Sequence, residues 1–178
     1  IGLLLVLGEL YVLFMGSMTG TDHLRVREVT LEFDDLPAAF DGYRIAQFTD
    51  AHLGSMRTEL LGRAVAEINS AHPDLIVFTG DVQNMRPDEL PRHATVLKRL
   101  KAKDGIYSVL GNHDYSQYVL NLPEEQKRAN EKKTREFETS IGWTLLLNEN
   151  RVLRRGEDSI VVAGEENDGL PPFPKKAD

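Results

Sequence analysis

The sequence predicts an α/β fold organised around a parallel sheet, and three observations lead there. Short apolar runs at Tyr43 to Thr49, Leu75 to Thr79 and Ile106 to Leu110 read as strands. Helical spacing of apolar residues fills the intervals, from Glu59 to Asn69 and from Glu89 to Leu100. One strand–helix unit takes about 30 residues, so successive strands are expected to pair in parallel through right-handed crossovers. In such sheets functional groups gather beyond the carboxyl ends of the strands.

Taken in order, residues 1–18 form an apolar run interrupted only by Glu9 and Ser17. As a helix it would span about 27 Å against a hydrocarbon core of roughly 30 Å. It is read as the end of a transmembrane helix, with a signal-peptide core or a buried helix as alternatives, and residues 19–25 as a linker. Val26 to Phe33 alternates like an edge strand and stops at Asp34-Asp35-Leu36-Pro37. The first helix of the α/β region places Leu60, Leu61, Ala64, Val65 and Ile68 on one face; the second turns Leu90, Ala94, Leu97 and Leu100 inward, with Pro91 in its first turn. Pro123 to Ile141 reads as a charged, solvated helix, because Glu124, Glu125, Glu131, Glu136 and Glu138 interleave with its lysines and arginines. Thr144 to Leu147, Val152 to Arg154 and Ile160 to Ala163 read as strands, separated by turns at Asn148-Glu149-Asn150 and Gly156-Glu157-Asp158. The chain opens at Ile1 inside an apolar run and closes at Asp178 just after Pro171, Pro172 and Pro174, so it is read as a fragment.

Composition narrows the function. The 178 residues carry a net charge of −7, which argues against a general nucleic-acid binder. There is no cysteine, so disulfide scaffolds, thiolate metal sites and cysteine nucleophiles are excluded. No Gly-x4-Gly-Lys-Ser/Thr loop, Gly-x-Gly-x-x-Gly fingerprint or Asp-x-Asp block is present. His23, His72 and His93 lie outside any polar cluster and are read as surface residues.

Three polar clusters follow the three central strands: Asp50-Ala51-His52, Gly80-Asp81 and Gly111-Asn112-His113-Asp114. Asp50, Asp81 and Asn112 fall at equal intervals of 31 residues, so each returns to the same edge of the sheet. Converging carboxylates, an imidazole and an amide oxygen suit divalent metals. Asp81 is placed to bridge two cations, Asp50 and His52 to complete one side, and Asn112 to give a neutral oxygen to the other. His113 is the candidate general acid for a leaving oxygen, and Asp114 the candidate group to orient it.

The Asp-x-His, Gly-Asp and Gly-Asn-His-Asp blocks, with their surroundings Phe48 to Ser55, Thr79 to Asp81 and Val109 to Tyr115, resemble the calcineurin-like metallophosphoesterases, and among them the bacterial membrane-associated branch. The resemblance covers residues 26–165 and implies an α/β sandwich of two sheets flanked by helices, of which residues 26–178 would be the N-terminal part. It also implies metal binding by Asp50, His52, Asp81 and Asn112, and catalysis or phosphate contact by His113. Asn84 stands where the family usually has an aspartate, and no histidine follows His113, whereas the family completes its sites with later histidine blocks. The chain is therefore expected to bind metal weakly by itself.

The expected function is a dinuclear, metal-dependent phosphoesterase acting on phosphate esters or pyrophosphates through a metal-bound hydroxide. Mn²⁺ is the first choice of metal, with Zn²⁺ or Fe as alternatives. The expected partners are the membrane of a bacterial cell and a phosphorylated small-molecule or lipid-linked substrate, not nucleic acid. The rival readings are a membrane-tethered scaffold with an incomplete site and a soluble nucleotide phosphodiesterase. Gly164 to Gly169 is either a substrate-approaching loop or a plain one.

Overall fold

The structure is a computed structural model that describes residues 2–19, 24–169 and 175–177. It divides into two compact units, residues 1–31 and residues 32–178. In the first, helix α1 (Gly2–Thr19) forms where the apolar run predicts a helix. Leu5, Val6, Leu7, Leu10, Tyr11, Val12, Leu13 and Phe14 on it are all exposed. Among the described residues no helix is long and apolar enough to cross a membrane.

The second unit is built on a four-stranded parallel sheet in the order β1 (Ile45–Phe48), β2 (Leu75–Phe78), β3 (Ile106–Ser108) and β4 (Thr144–Leu145). Register runs Ile45 to Leu75, Ile76 to Ile106 and Tyr107 to Thr144. The crossovers are α2 (Thr58–Ser70), a run of short turns ending in α3 (Ala94–Leu97), and α4 (Glu124–Ser140). β5 (Glu149–Arg155) and β6 (Asp158–Gly164) form a separate antiparallel hairpin, turned at Gly156. This mixed α/β arrangement of one parallel and one antiparallel sheet agrees with the sandwich expected from the sequence.

The core follows from the patterning. Leu61 and Val65 of α2, Ile76 and Phe78 of β2, and Leu90, Val96, Leu97 and Leu100 are buried together. Trp143 meets Phe78 and Phe48 at ring separations of 5.1 and 5.9 Å, closing the cluster beneath α4. Burying such side chains contributes about 1.5–3 kcal/mol each.

Five sequence expectations change. Val26 to Phe33 forms no strand or helix, with Val26, Val29, Leu31 and Phe33 exposed. Alternation marks a chain able to pair, but a strand exists only where a neighbour supplies the ladder, and among the described residues none does. The helix expected over Glu89 to Leu100 breaks into 3₁₀ turns at Pro87–Glu89 and Pro91–His93 and the single turn of α3. Proline lacks the N–H and crowds the preceding carbonyl, so Pro87 and Pro91 each start a turn instead of extending a helix. The turn expected at Asn148-Glu149-Asn150 is confined to Asn148, at φ +54°, because Glu149 and Asn150 already pair in β5. α4 forms as expected, but it is not simply solvated: Asn130, Thr134 and Glu138, four residues apart, form a buried polar stripe. Of the three histidines read as surface residues, His72 is exposed, His93 is fully buried, and His23 lies outside the described residues.

Candidate metal centre

The three clusters leave the sheet side by side. Beyond β1 and β2 the backbone pairing continues, with Asp50 N donating to Gly80 O, His52 N to Asp81 O and Leu53 N to Val82 O at 2.9–3.1 Å. Asp50, His52 and Asp81 all adopt left-handed backbone, at φ +52°, +40° and +62°. Such conformations are uncommon outside glycine, and clusters of them are a feature of functional sites. Gly80, itself at φ +101°, and Gly111 allow the second and third clusters to touch. A Cβ at Gly80 would lie 2.6 Å from Gly111 Cα, and one at Gly111 would strike the Asp81 carboxylate.

Donor groups of His52, Asp81 and His113 lie within 4.8 Å of one another. The two imidazoles meet edge to face at 4.6 Å. His52 Nδ1 donates to Gln83 O at 3.3 Å and His113 Nδ1 to Asn84 O at 2.6 Å. Two consecutive carbonyls therefore fix both tautomers, leaving the His52 Nε2 lone pair for a cation and the His113 Nε2 lone pair for a cation or a proton. Asp81 Oδ1 accepts the His113 backbone N–H at 2.8 Å. Asp50 lies beside this group, its carboxylate 3.6 Å from His52 Nε2. Asn112 donates its amide N–H to the Tyr118 hydroxyl at 2.7 Å. A carboxylate and two imidazoles with preset tautomers, on one rim with a further acid and an amide, fit a divalent cation.

Asp114 sits differently from the sequence expectation. Its carboxylate is fully buried and accepts four backbone N–H groups, from Asp81, Val82, Gln83 and Gly111, at 2.8–3.2 Å. It ties the second cluster to the third, and the direct orienting contact to His113 comes from the Asn84 carbonyl instead. Burial pushes the Asp114 carboxyl up to about 7, the Asp81 charge adds to the rise, and the backbone N–H bonds oppose it.

Several supporting groups carry no motif. Gln83 is fully buried; its amide donates to His113 O at 3.0 Å and to Ser116 Oγ at 3.2 Å, and accepts from Thr134 of α4 at 2.9 Å. Glu89 accepts the backbone N–H groups of Asn84, Met85 and Arg86. Arg92 donates to Leu53 O and Gly54 O at 2.7 and 2.8 Å, and His93 Nε2 lies 3.0 Å from Leu53 O. In the sequence His93 stands at helical spacing from Leu90 and Leu97, and that spacing is the signal which could have marked it as buried. The Gly164 to Gly169 loop is anchored, since Glu166 accepts from Tyr115 and Arg135 at 3.2 and 3.3 Å.

Known proteins extend this reading. The chain is 40% identical over 99 residues to an uncharacterised metallophosphoesterase, YkuE, of Bacillus subtilis, across 53% of this chain and 34% of the relative. It is 38% identical over 98 residues to the UDP-2,3-diacylglucosamine pyrophosphatase LpxG of Chlamydia trachomatis, across 54% and 30%. A transmembrane protein with a metallophosphoesterase domain from Danio rerio is 31% identical over 101 residues, across 56% and 23%. The chain thus spans about a third or less of the length of these relatives. No solved structure matches. The family model for calcineurin-like phosphoesterases covers residues 43–170, from just before β1 to beyond β6, and so takes in all three clusters. With its metal-fitting rim and the match across most of its length, this chain belongs to the calcineurin-like phosphoesterase family.

Proposed function

We propose that the chain is part of a metal-dependent phosphoesterase that hydrolyses phosphate esters or pyrophosphates. In this reading Asp50, His52, Asp81 and Asn112 would hold the two divalent cations, and His113 would act on the leaving group. The observation that carries it is the convergence of His52, Asp81 and His113 on one rim, where among the described residues no lysine or arginine pairs with Asp50, Asp81 or Asp114. Negative charge held without a protein cation is a place for a bound one.

Divalent cations, when bound, would supply neutralisation of the phosphate oxygens and activation of water. The remaining work falls to the chain. Asp81 keeps one carboxylate oxygen on the His113 N–H, which fixes the direction of the other. His113 Nε2 can carry a proton to a leaving oxygen while Nδ1–H stays on Asn84 O, a contact that strengthens as the ring becomes cationic. The mixture of carboxylates, amide oxygen and imidazole favours Mn²⁺, with Zn²⁺ or Fe as alternatives.

A lipid-linked pyrophosphate is the substrate class we favour, supported by the activity for which the chlamydial relative is named. The exposed apolar side chains of α1 support attachment at a bacterial membrane surface, with residues 1–18 as the lipid-seeking part.

In the intact protein, Asp81→Ala is expected to abolish both metal retention, read by elemental analysis, and hydrolysis of a pyrophosphate. His113→Ala is expected to keep the metal and to slow turnover by roughly 10²–10⁴-fold. Equal metal loss in the two variants would overturn this division of roles. Absence of metal from the wild type would favour the scaffold reading.

A further inference from the structure

We infer that Tyr118 is a positioning residue of this metal centre, one that sets Asn112 and His113 together. The inference rests on the metal-binding reading above and deepens it. After the 3₁₀ turn Asn112–Tyr115, Ser116 takes left-handed backbone at φ +56°, and the chain doubles back. Tyr118 then lies against the two residues that opened the turn. Its ring stacks on the His113 imidazole at 4.0 Å, with the planes 22° apart. Its hydroxyl accepts the Asn112 Nδ2–H at 2.7 Å.

Each contact removes a different freedom. An asparagine amide has one donating and one accepting end, and only the oxygen binds a cation. With the nitrogen held on the phenol, Oδ1 is turned away from Tyr118 and the amide is kept from flipping. Stacking holds the plane of the His113 ring, and the bond from Nδ1 to Asn84 O fixes its rotation within that plane. Tyr118 does this without adding charge, so the balance between carboxylates and cations is untouched. A side chain present only for packing would need the ring and not the hydroxyl; the 2.7 Å bond to the amide separates the two roles.

Co²⁺ alone is a suitable probe in the intact protein, because its visible absorption follows coordination geometry. Tyr118→Phe keeps the stack and removes the hydroxyl. It is expected to melt with the wild type, to bind Co²⁺ about tenfold more weakly, the low end for a residue that orients a ligand, and to show an altered visible band. Tyr118→Leu removes both contacts and is expected to bind Co²⁺ no more tightly than Tyr118→Phe and to turn over more slowly, because the freed His113 ring acts on the leaving group. A phenylalanine variant with wild-type affinity and band would overturn the inference. So would one that melts early with an unchanged band, which is the mark of a merely structural residue. A wild type that takes up no Co²⁺, or as much as Asp81→Ala does, would instead sink the metal-centre reading and this inference with it.

Discussion

The two ends of the parallel sheet handle buried negative charge in opposite ways. At the amino end, Asp74 is buried and met by Lys103 at 2.7 Å, Arg155 at 2.9 Å and the Arg44 backbone N–H at 2.8 Å. Arg155 also reaches Asp104 at 3.3 Å and lies over the Tyr43 ring at 4.6 Å. It comes from the end of β5, so this cluster also fastens the hairpin to the parallel sheet. Burial by itself would raise the Asp74 carboxyl, but the bonds from Lys103, Arg44 and Arg155 outweigh it and hold it well below the usual carboxylate range. At the carboxyl end Asp81, Asp114 and Glu138 are buried with no lysine or arginine paired to them among the described residues. Burial pushes Glu138 well up, the Asp114 charge adds to the rise, and its bond to Ser108 opposes it. One end is neutralised by its own side chains and serves the fold. The other has no lysine or arginine of its own among the described residues, which leaves a bound cation or a proton to balance its carboxyls.

The largest effect expected from breaking this contrast is at Asp114. Its two oxygens serve four backbone donors, and an amide in their place turns an NH₂ group toward two of them. Each buried N–H left without an acceptor costs about 1–3 kcal/mol. Asp114→Asn is therefore expected to destabilise the protein by roughly 2–5 kcal/mol, read as a lower urea midpoint with unchanged slope. A loss below about 1 kcal/mol would show that the second and third clusters are held together by something else.

A smaller effect of defined sign is expected at the amino end. Because the folded Asp74 carboxyl lies below its unfolded value of 3.8, its contribution to stability is present above about pH 4 and is lost as pH falls. Asp74→Asn keeps the shape, removes the charge, and should lower the melting temperature at pH 6–7 while flattening its fall on the acid side. An acid limb as steep as the wild type's would mean that other carboxylates carry it.

How much of this was legible in the sequence follows the same division. The metal-fitting rim was legible because its residues stand next to strand ends, where short motifs at 31-residue spacing fix both identity and location. Helix α2 was legible because Leu61 and Val65 sit at helical spacing. The network at the amino end was not, since Tyr43, Asp74, Asp104 and Arg155 are far apart in sequence and share no spacing rule. Tyr118 was missed for a related reason: a left-handed Ser116 brings it back, and no residue pattern announces that turn. The buried face of α4 defeats the usual reading outright. Asn130 and Thr134 are buried because Ser116 and Gln83 offer them partners, whereas hydrophobic periodicity finds only apolar faces.

Glu138 on that face gives the finest test of the contrast. Its Oε2 meets Ser108 Oγ at 2.5 Å, while Oε1 is buried with no hydrogen-bond partner among the described residues. A carboxyl in such a place is more stable protonated, and its raised value makes the sign the reverse of Asp74. Its contribution is full below the ordinary glutamate value of 4.5 and is lost as pH rises toward the raised one. Glu138→Gln is neutral at every pH and nearly the same size. It should leave the stability at pH 4–5 almost unchanged and make the protein more stable than the wild type at pH 8. The expected gain is modest, because the amide retains a polar contact to Ser108 but leaves its second polar group to find a partner. Melting curves of the two proteins that run parallel from pH 4 to pH 8 would mean Glu138 is ionised throughout. The unbalanced charge at the carboxyl end would then be larger by one, and the case for a neutralising cation there stronger.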